Sequence, residues 1–336
     1  MNNCIIGIFL MITVVSYGQE NSAIQNTLEQ IINHAEEASL YRNKVDWDTL
    51  KPAIHELAKD AETVADLEPA LSYMLKSLGD EHGRVFHNNQ ILAYYHNRTP
   101  KAHLAPIRPD IYNNIQMGQV YPFHAEMLKD NIGYIRIVGL PMGDNEKMAY
   151  EIQKEVCRLL KEGAEKWVVD LRYNGGGNMH PMAEGIALII GNGEVGGSKG
   201  LTENESSIWR VENNNFYYDD FSIELTDSCD TDDNSKVAVL TSSYTASSGE
   251  ALAVIFKGRD NTKFFGQKTL GMITVTDWHI INESTAMTIS VSYYKDRNQV
   301  IYDKYVGVDV EMPFVEEPMS LSDECFNTAI EWLEEK

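Results

Sequence analysis

Apolar residues recur at three- and four-residue spacings early in the chain: Ile24, Leu28, Ile31 and Ile32, then Leu50, Ile54 and Leu57, then Leu67, Leu71, Leu75 and Leu78. That period puts each set on one helical face and predicts three helices between Asn21 and Leu78. From Val85 to Lys129 the period disappears. Pro100, Pro106, Pro109 and Pro122 interrupt any helix there, so a loop-rich insertion is expected. From Asn131 onward the pattern alternates. Ile132 to Val138 reads as a strand. Asp144 caps a helix whose apolar face is Met148, Ile152, Val156, Leu159 and Leu160, and Gly163 ends it. Lys166 to Leu171 is a second strand, followed by a glycine turn and a helix from Pro181 to Ile190. Lys236 to Leu240 is a further strand leading into a helix from Ala246 to Lys257, and Thr274 to Val310 reverts to alternating strands. Strand-helix-strand repetition predicts an α/β core with parallel pairing.

Charge narrows the choice of partners. The 336 residues carry 28 Lys plus Arg against 50 Asp plus Glu, a net charge of −22. Nucleic acid is excluded as a natural partner, because its affinity comes largely from Lys and Arg displacing counterions. A cationic peptide suits the same charge. Seven acidic residues and no basic one lie between Asp219 and Asp233, which reads as a solvated loop. At the N-terminus an apolar run from Cys4 to Val15 precedes the small residues Ser16 and Gly18. It reads as a signal peptide over residues 1–18 with Gln19 as the new N-terminus, retention as an anchor being the alternative. Export to the periplasm, cell envelope or medium is therefore expected. Cleavage leaves Cys157, Cys229 and Cys325, enough for one disulfide at most. No Cys-x-x-Cys or His-x-x-x-His pair marks a metal site, and no cofactor is expected.

Three segments can carry chemistry. Thr245-Ala246-Ser247-Ser248-Gly249-Glu250 joins an apolar strand to an apolar helix. A serine at that junction can project as a nucleophile beside unpaired helix-start amides, or it can simply cap the helix. Asp170-Leu171-Arg172-Tyr173-Asn174-Gly175-Gly176-Gly177 runs a buried strand into three glycines, a turn that lets amides approach a ligand or that is merely tight. Leu78-Gly79-Asp80-Glu81-His82 puts a histidine just past a helix end, as a general base or a surface residue; His180 is its close competitor.

Taken in order, with Asn131-Ile132-Gly133-Tyr134-Ile135 between the first and second, these motifs resemble the serine-protease family of C-terminal processing (tail-specific) and tricorn-core proteases. The resemblance covers roughly Val45 to Phe314. It implies Ser247 as nucleophile, the Ser248 amide as one oxyanion donor and Gly175 or Gly176 as the other. The processing proteases use a lysine base in Gly-x-x-Thr-x-Gly-Lys; here the segment ends in Met272, and Lys268 is four positions early. The tricorn-like branch uses a histidine, which falls on His82. The late acidic residue has its nearest match in Asp303, one residue out of spacing and without the expected proline, and Asp80 and Glu81 are too close in sequence to orient the ring.

The resemblance further implies an α/β fold with a crotonase/Clp-protease-like spiral core. Its layout would be a helical bundle over 19–84, a small cap or insertion over 85–130 and a protease core over 131–336, with no PDZ domain. The organisation is similar to the nisin-resistance protein subgroup, whose members clip a cationic antimicrobial peptide. The implied activity is cleavage of peptides or protein C-terminal tails through an acyl-enzyme. A non-catalytic peptide- or lipid-binding protein and an acyl-ester hydrolase are the competing readings.

Overall fold

The computed structural model describes residues 5–97, 123–223, 225, 229, 235–314 and 322–335. In chain order it contains α1 (Ile5–Ala38), α2 (Trp47–Ala58), α3 (Glu68–Leu78), β1 (Arg84–His87), β2 (Gln90–Tyr94), β3 (Phe123–Met127) and β4 (Ile132–Ile137). Next come α4 (Asn145–Lys161), β5 (Lys166–Asp170), α5 (Met179–Gly185), α6 (Ala187–Ile190), β6 (Gly193–Lys199), β7 (Ser207–Glu212), β8 (Asn215–Tyr218) and β9 (Phe221–Ser222). The remainder is β10 (Lys236–Thr241), α7 (Ser248–Phe256), β11 (Thr262–Gly266), β12 (Thr274–Thr276), β13 (His279–Ile280), β14 (Thr285–Thr288), β15 (Ser290–Asp296), β16 (Val310–Glu311) and α8 (Glu324–Glu334). The fold is mixed α/β. Two compact units form: Met1–Thr99 with Val275–Ser292, and Pro100–Thr274 with Tyr293–Lys336. Among the described residues no helix is long and apolar enough to cross a membrane.

In the first unit the three expected helices are present, and Leu28, Ile31, Ile54, Leu71 and Leu75 share one core with Val85, Ala93 and Met287 of the sheet β13-β14-β1-β2. The stretch expected to be loop from Val85 onward begins instead with a hairpin. Asn88 and Asn89 both take left-handed backbone (φ 51° and 61°), the geometry of a two-residue turn that matches the twist of the flanking strands. Val85 then pairs with Ala93 and Met287 on the buried face. The four prolines that suggested the loop lie outside the described residues.

The second unit is built on the sheet β16-β11-β10-β5-β4-β3, parallel throughout except for β3. Val168, Val169, Val237, Ala238, Val239 and Leu240 are all buried, as central parallel strands require. On one side α8 packs Cys325, Phe326, Ala329 and Leu333 against Ile132, Tyr134, Val168 and Leu240. Helix α4 starts at its Asp144 cap, whose carboxylate accepts the Lys147 N–H, and ends at Lys161, just before Gly163 at φ 100°. The helix expected over 181–190 is two short ones, α5 and α6, broken at Ile186. In a second sheet, β12-β15-β6-β7-β8-β9, strands β12 and β15 fall in the stretch expected as strands, whereas β6 was not legible in the sequence because glycines at 193, 196 and 197 dilute it. Cys157 of α4 is disulfide-bonded to Cys229, and Cys325 is a buried free thiol. Most of the acidic stretch from Asp219 to Asp233 beyond Ile223 lies outside the described residues.

Candidate active site

Strand β10 delivers the chain into a sharp elbow, and Ser247 stands at it with φ 53° and ψ −121° as the residue before α7. A non-glycine residue rarely takes such a conformation, and one held there by its surroundings marks a functional turn. Ala246 N–H donates to Asn174 O at 2.9 Å, and Gly249 N–H to Ala246 O at 2.9 Å. The glycine turn closes on the elbow from the end of β5. A Cβ on Gly176 would lie 2.8 Å from Ser247 Cβ and 3.3 Å from its Oγ, and Gly176 has φ 106°. Only glycine meets both conditions. Ser248 Oγ donates to Gly177 O at 2.6 Å, which fixes the turn to the first residue of α7.

The amides proposed from sequence divide into two kinds. Ser248 opens α7, where N–H groups point outward from the helix start. Gly175 N–H donates to Val138 O at 3.2 Å, and Gly176 N–H to Asn174 Oδ1 at 3.0 Å. Asn174 is thus a buried hub that serves both the turn and the elbow, and sequence reasoning passed over it although it lies inside the quoted motif.

Glu250, also buried, accepts the Ser247 N–H at 3.0 Å through Oε2. Its Oε1 accepts the Thr269 hydroxyl at 2.5 Å and the Gly271 N–H at 2.7 Å. It therefore ties the elbow to the segment whose lysine is replaced by Met272. Lys268, the nearest lysine in that segment, lies 4.7 Å over the Tyr305 ring.

Residues 131–312, more than half of the chain and including every element of this elbow, match peptidase family S41. The chain belongs to peptidase family S41. Among curated relatives of this S41 chain, the nisin-resistance protein of Lactococcus lactis is 21% identical over 92% of this chain and 86% of its own length. The carboxyl-terminal-processing protease of Picosynechococcus is 25% identical over 54% of this chain and 39% of its own length. Among solved structures, a lipoprotein from Streptococcus agalactiae superposes with a TM-score of 0.67 at 18% identity, covering 92% of this chain and 95% of that one. The photosystem II D1 C-terminal processing protease superposes with a TM-score of 0.54 at 15% identity, covering 86% and 93%. At these identities the superpositions establish a shared fold.

Beneath the S41 glycine turn lies a buried ionic group. Arg172 donates to Asp170 through Nη2 at 2.7 Å and Nε at 3.0 Å, and through Nη1 to both oxygens of Asp323 at 2.9 Å. Tyr134 Oη donates to Asp170 at 2.9 Å. Burial alone would raise the Asp170 carboxyl, but the guanidinium beside it more than offsets this and holds its pKa below the ordinary value. The Arg172 carbonyl accepts the Ser242 hydroxyl, so this group supports the β10 arm as well. Asp323 has no local signal in the sequence; it stands 151 residues from Arg172.

Of the residues expected from sequence, Ser247, Ser248, Gly175 and Gly176 come together within the second unit. His82 belongs to the first unit, partly buried in the loop between α3 and β1, with its backbone N–H on the Asp80 carboxylate. Asp303 is exposed in a bend of the second unit. His180, the competing histidine, lies on α5 with its ring against Phe221 and Tyr218, and burial lowers its pKa.

Proposed function

We propose that the protein is an exported serine peptidase that cleaves peptides or protein C-terminal tails through an acyl-enzyme. The observation that carries this reading is Ser247 held at φ 53° against Gly176 at the start of α7. In the proposed reaction Ser247 Oγ attacks the scissile carbonyl while His82 accepts its proton. His82 then returns that proton to the leaving amine, and a water molecule deacylates the serine by the same route. The Ser248 amide donates to the developing oxyanion, and a second donor comes from Gly176 once its N–H leaves Asn174 Oδ1. The exposed placement of Asp303 gives no support to it as an orienting residue, so the reading is a Ser-His pair.

Envelope association is supported by the similarity to the Streptococcus agalactiae lipoprotein and the nisin-resistance protein and by the Cys157–Cys229 disulfide, which persists in oxidising compartments. The net charge of −22 favours a cationic substrate. A non-catalytic peptide-binding protein is the second reading, favoured by the Gly175 and Gly176 amides already being engaged. The two separate in one experiment. A peptide library including cationic peptides is digested by the protein, Ser247→Ala and His82→Ala, with products read by mass spectrometry and Ser247 probed with a serine-directed phosphonate. Cleavage and labelling lost in both variants are expected. A folded wild type that neither cleaves nor labels would leave the binding reading.

A further inference from the structure

We propose that Asp80 is the positioning residue of the base, setting where His82 stands by binding the backbone that carries it. The proposal rests on the reading of His82 as the base. Asp80 is fully buried, and its own N–H closes the end of α3 on Leu75 O at 3.0 Å. Its carboxylate then turns forward along the chain. Oδ1 accepts the N–H of His82 at 3.0 Å and of Gly83 at 2.8 Å, together with the Ser290 hydroxyl at 2.7 Å. Oδ2 accepts the Ser290 N–H at 2.9 Å. All four donors are neutral, and all converge on the one carboxylate.

The opposite side of the loop is held by a cation. Arg84 Nη1 donates to the carbonyls of Glu81 at 3.0 Å and Gly83 at 2.6 Å. The carboxylate collects N–H groups and the guanidinium collects carbonyls, so the peptide plane before His82 is held at both its N–H and its carbonyl and the plane after it at its N–H. There is no slack between them: a Cβ on Gly83 would stand 2.8 Å from Asp80 Oδ2 and 3.0 Å from Leu75 Cδ2. A carboxylate that served only to finish α3 would have no use for Ser290, which lies 210 residues later at the start of β15. Orientation of a catalytic histidine is commonly imposed through the ring nitrogen remote from the serine. Here the constraint is applied to the main chain, which explains why no carboxylate in the expected late segment is needed.

The test uses the full chain and compares wild type, Asp80→Asn, Ser290→Ala, His82→Ala and the Asp80→Asn/His82→Ala double variant. Phosphonate inactivation rates, and kcat and KM on a cleaved peptide, are measured for each. In Asp80→Asn the amide NH2 meets an N–H donor whichever way it is turned. About a 30-fold or greater fall in inactivation rate and kcat is expected, with KM within about 3-fold. Ser290→Ala keeps its N–H and removes only the hydroxyl, so about a 3- to 10-fold fall of the same kind is expected in a protein that folds normally. In the His82→Ala background Asp80→Asn should add nothing, because both changes act through one imidazole. A further fall of the same size in that background would make Asp80 merely structural and overturn the proposal. Loss in His82→Ala with wild-type rates in Asp80→Asn and Ser290→Ala would overturn it while leaving the Ser-His reading intact. Full activity in His82→Ala would remove the base assignment and the role of Asp80 with it.

Discussion

The loop that carries His82 and the elbow that carries Ser247 are each tied to a buried carboxylate, but the carboxylates reach them from opposite directions. Asp80 precedes the histidine by two residues and reaches forward, holding its loop by hydrogen bonds from His82, Gly83 and Ser290. Glu250 follows the serine by three residues and reaches back from within α7, where the Ser247 N–H, the Thr269 hydroxyl and the Gly271 N–H meet it. The elbow has a second restraint, the steric closure of Gly176 on Ser247, together with a positive φ. A strained turn needs packing as well as donors to persist. The His82 loop, with no such backbone strain at the histidine, is held by hydrogen bonds to Asp80 and from Arg84 and by the close packing at Gly83.

The sharpest way to break this comparison is to attack the steric restraint. Gly176→Ala places a methyl group 2.8 Å from Ser247 Cβ, in a backbone conformation that L-residues resist. We expect phosphonate labelling to fall at least about 1000-fold, roughly 4 kcal/mol of transition-state stabilisation, in a protein that remains folded. A labelling rate within about 10-fold of wild type would show that the elbow needs no such closure. A comparable energy is expected on the stability side. Reducing the Cys157–Cys229 disulfide, which closes a loop with a sequence separation of 72, should lower stability by about 4 kcal/mol in urea unfolding. No change in the urea midpoint would mean that the unfolded chain gains no freedom when the link is broken, its two segments staying close without it.

Smaller effects sharpen the comparison between carboxylates. Glu250→Gln preserves shape but sets an NH2 against one of its donors, and about a 100-fold fall in kcat with KM little changed is expected. A fall confined to KM would assign Glu250 to substrate binding. Glu184 supplies the contrasting case within the second unit: it is buried, its Oε2 accepts the Phe216 N–H at 2.6 Å, and its Oε1 has no partner among the described residues. Burial pushes its pKa up to about 7. Because the folded state holds this proton more tightly than the unfolded chain does, the resulting stability is complete below the unfolded value of 4.5 and is lost as pH rises through about 7. At pH 8 Glu184→Gln should therefore exceed wild type by on the order of 2 kcal/mol, with the gap narrowing toward pH 5. A pH-independent gap would show that Glu184 finds a further donor when ionised.

Much of this architecture was readable before the structure. Helical spacing located α1 to α3, apolar runs located β4, β5 and β10, and the order of the motifs pointed to Ser247 and the glycine turn. What the sequence concealed was chiefly long-range. Ser290 is an ordinary strand residue until Asp80 meets it, and Asp323 is an ordinary helix cap until Arg172 does. Two hairpins were missed because Asn88-Asn89 and Asn213-Asn214 make their turns without glycine. The engagement of the Gly176 amide was equally hidden, since it depends on the rotamer of the Asn174 side chain.

The buried Arg172 has a consequence for the order in which the protein is made. Its charge is paired from one side by Asp170, two residues away, but from the other by Asp323, 151 residues downstream. A growing polypeptide therefore carries a guanidinium whose charge is matched by Asp170 but whose Nη1 lacks its carboxylate acceptor until α8 has been made. The ionic group beneath the elbow is complete only when both carboxylates are present.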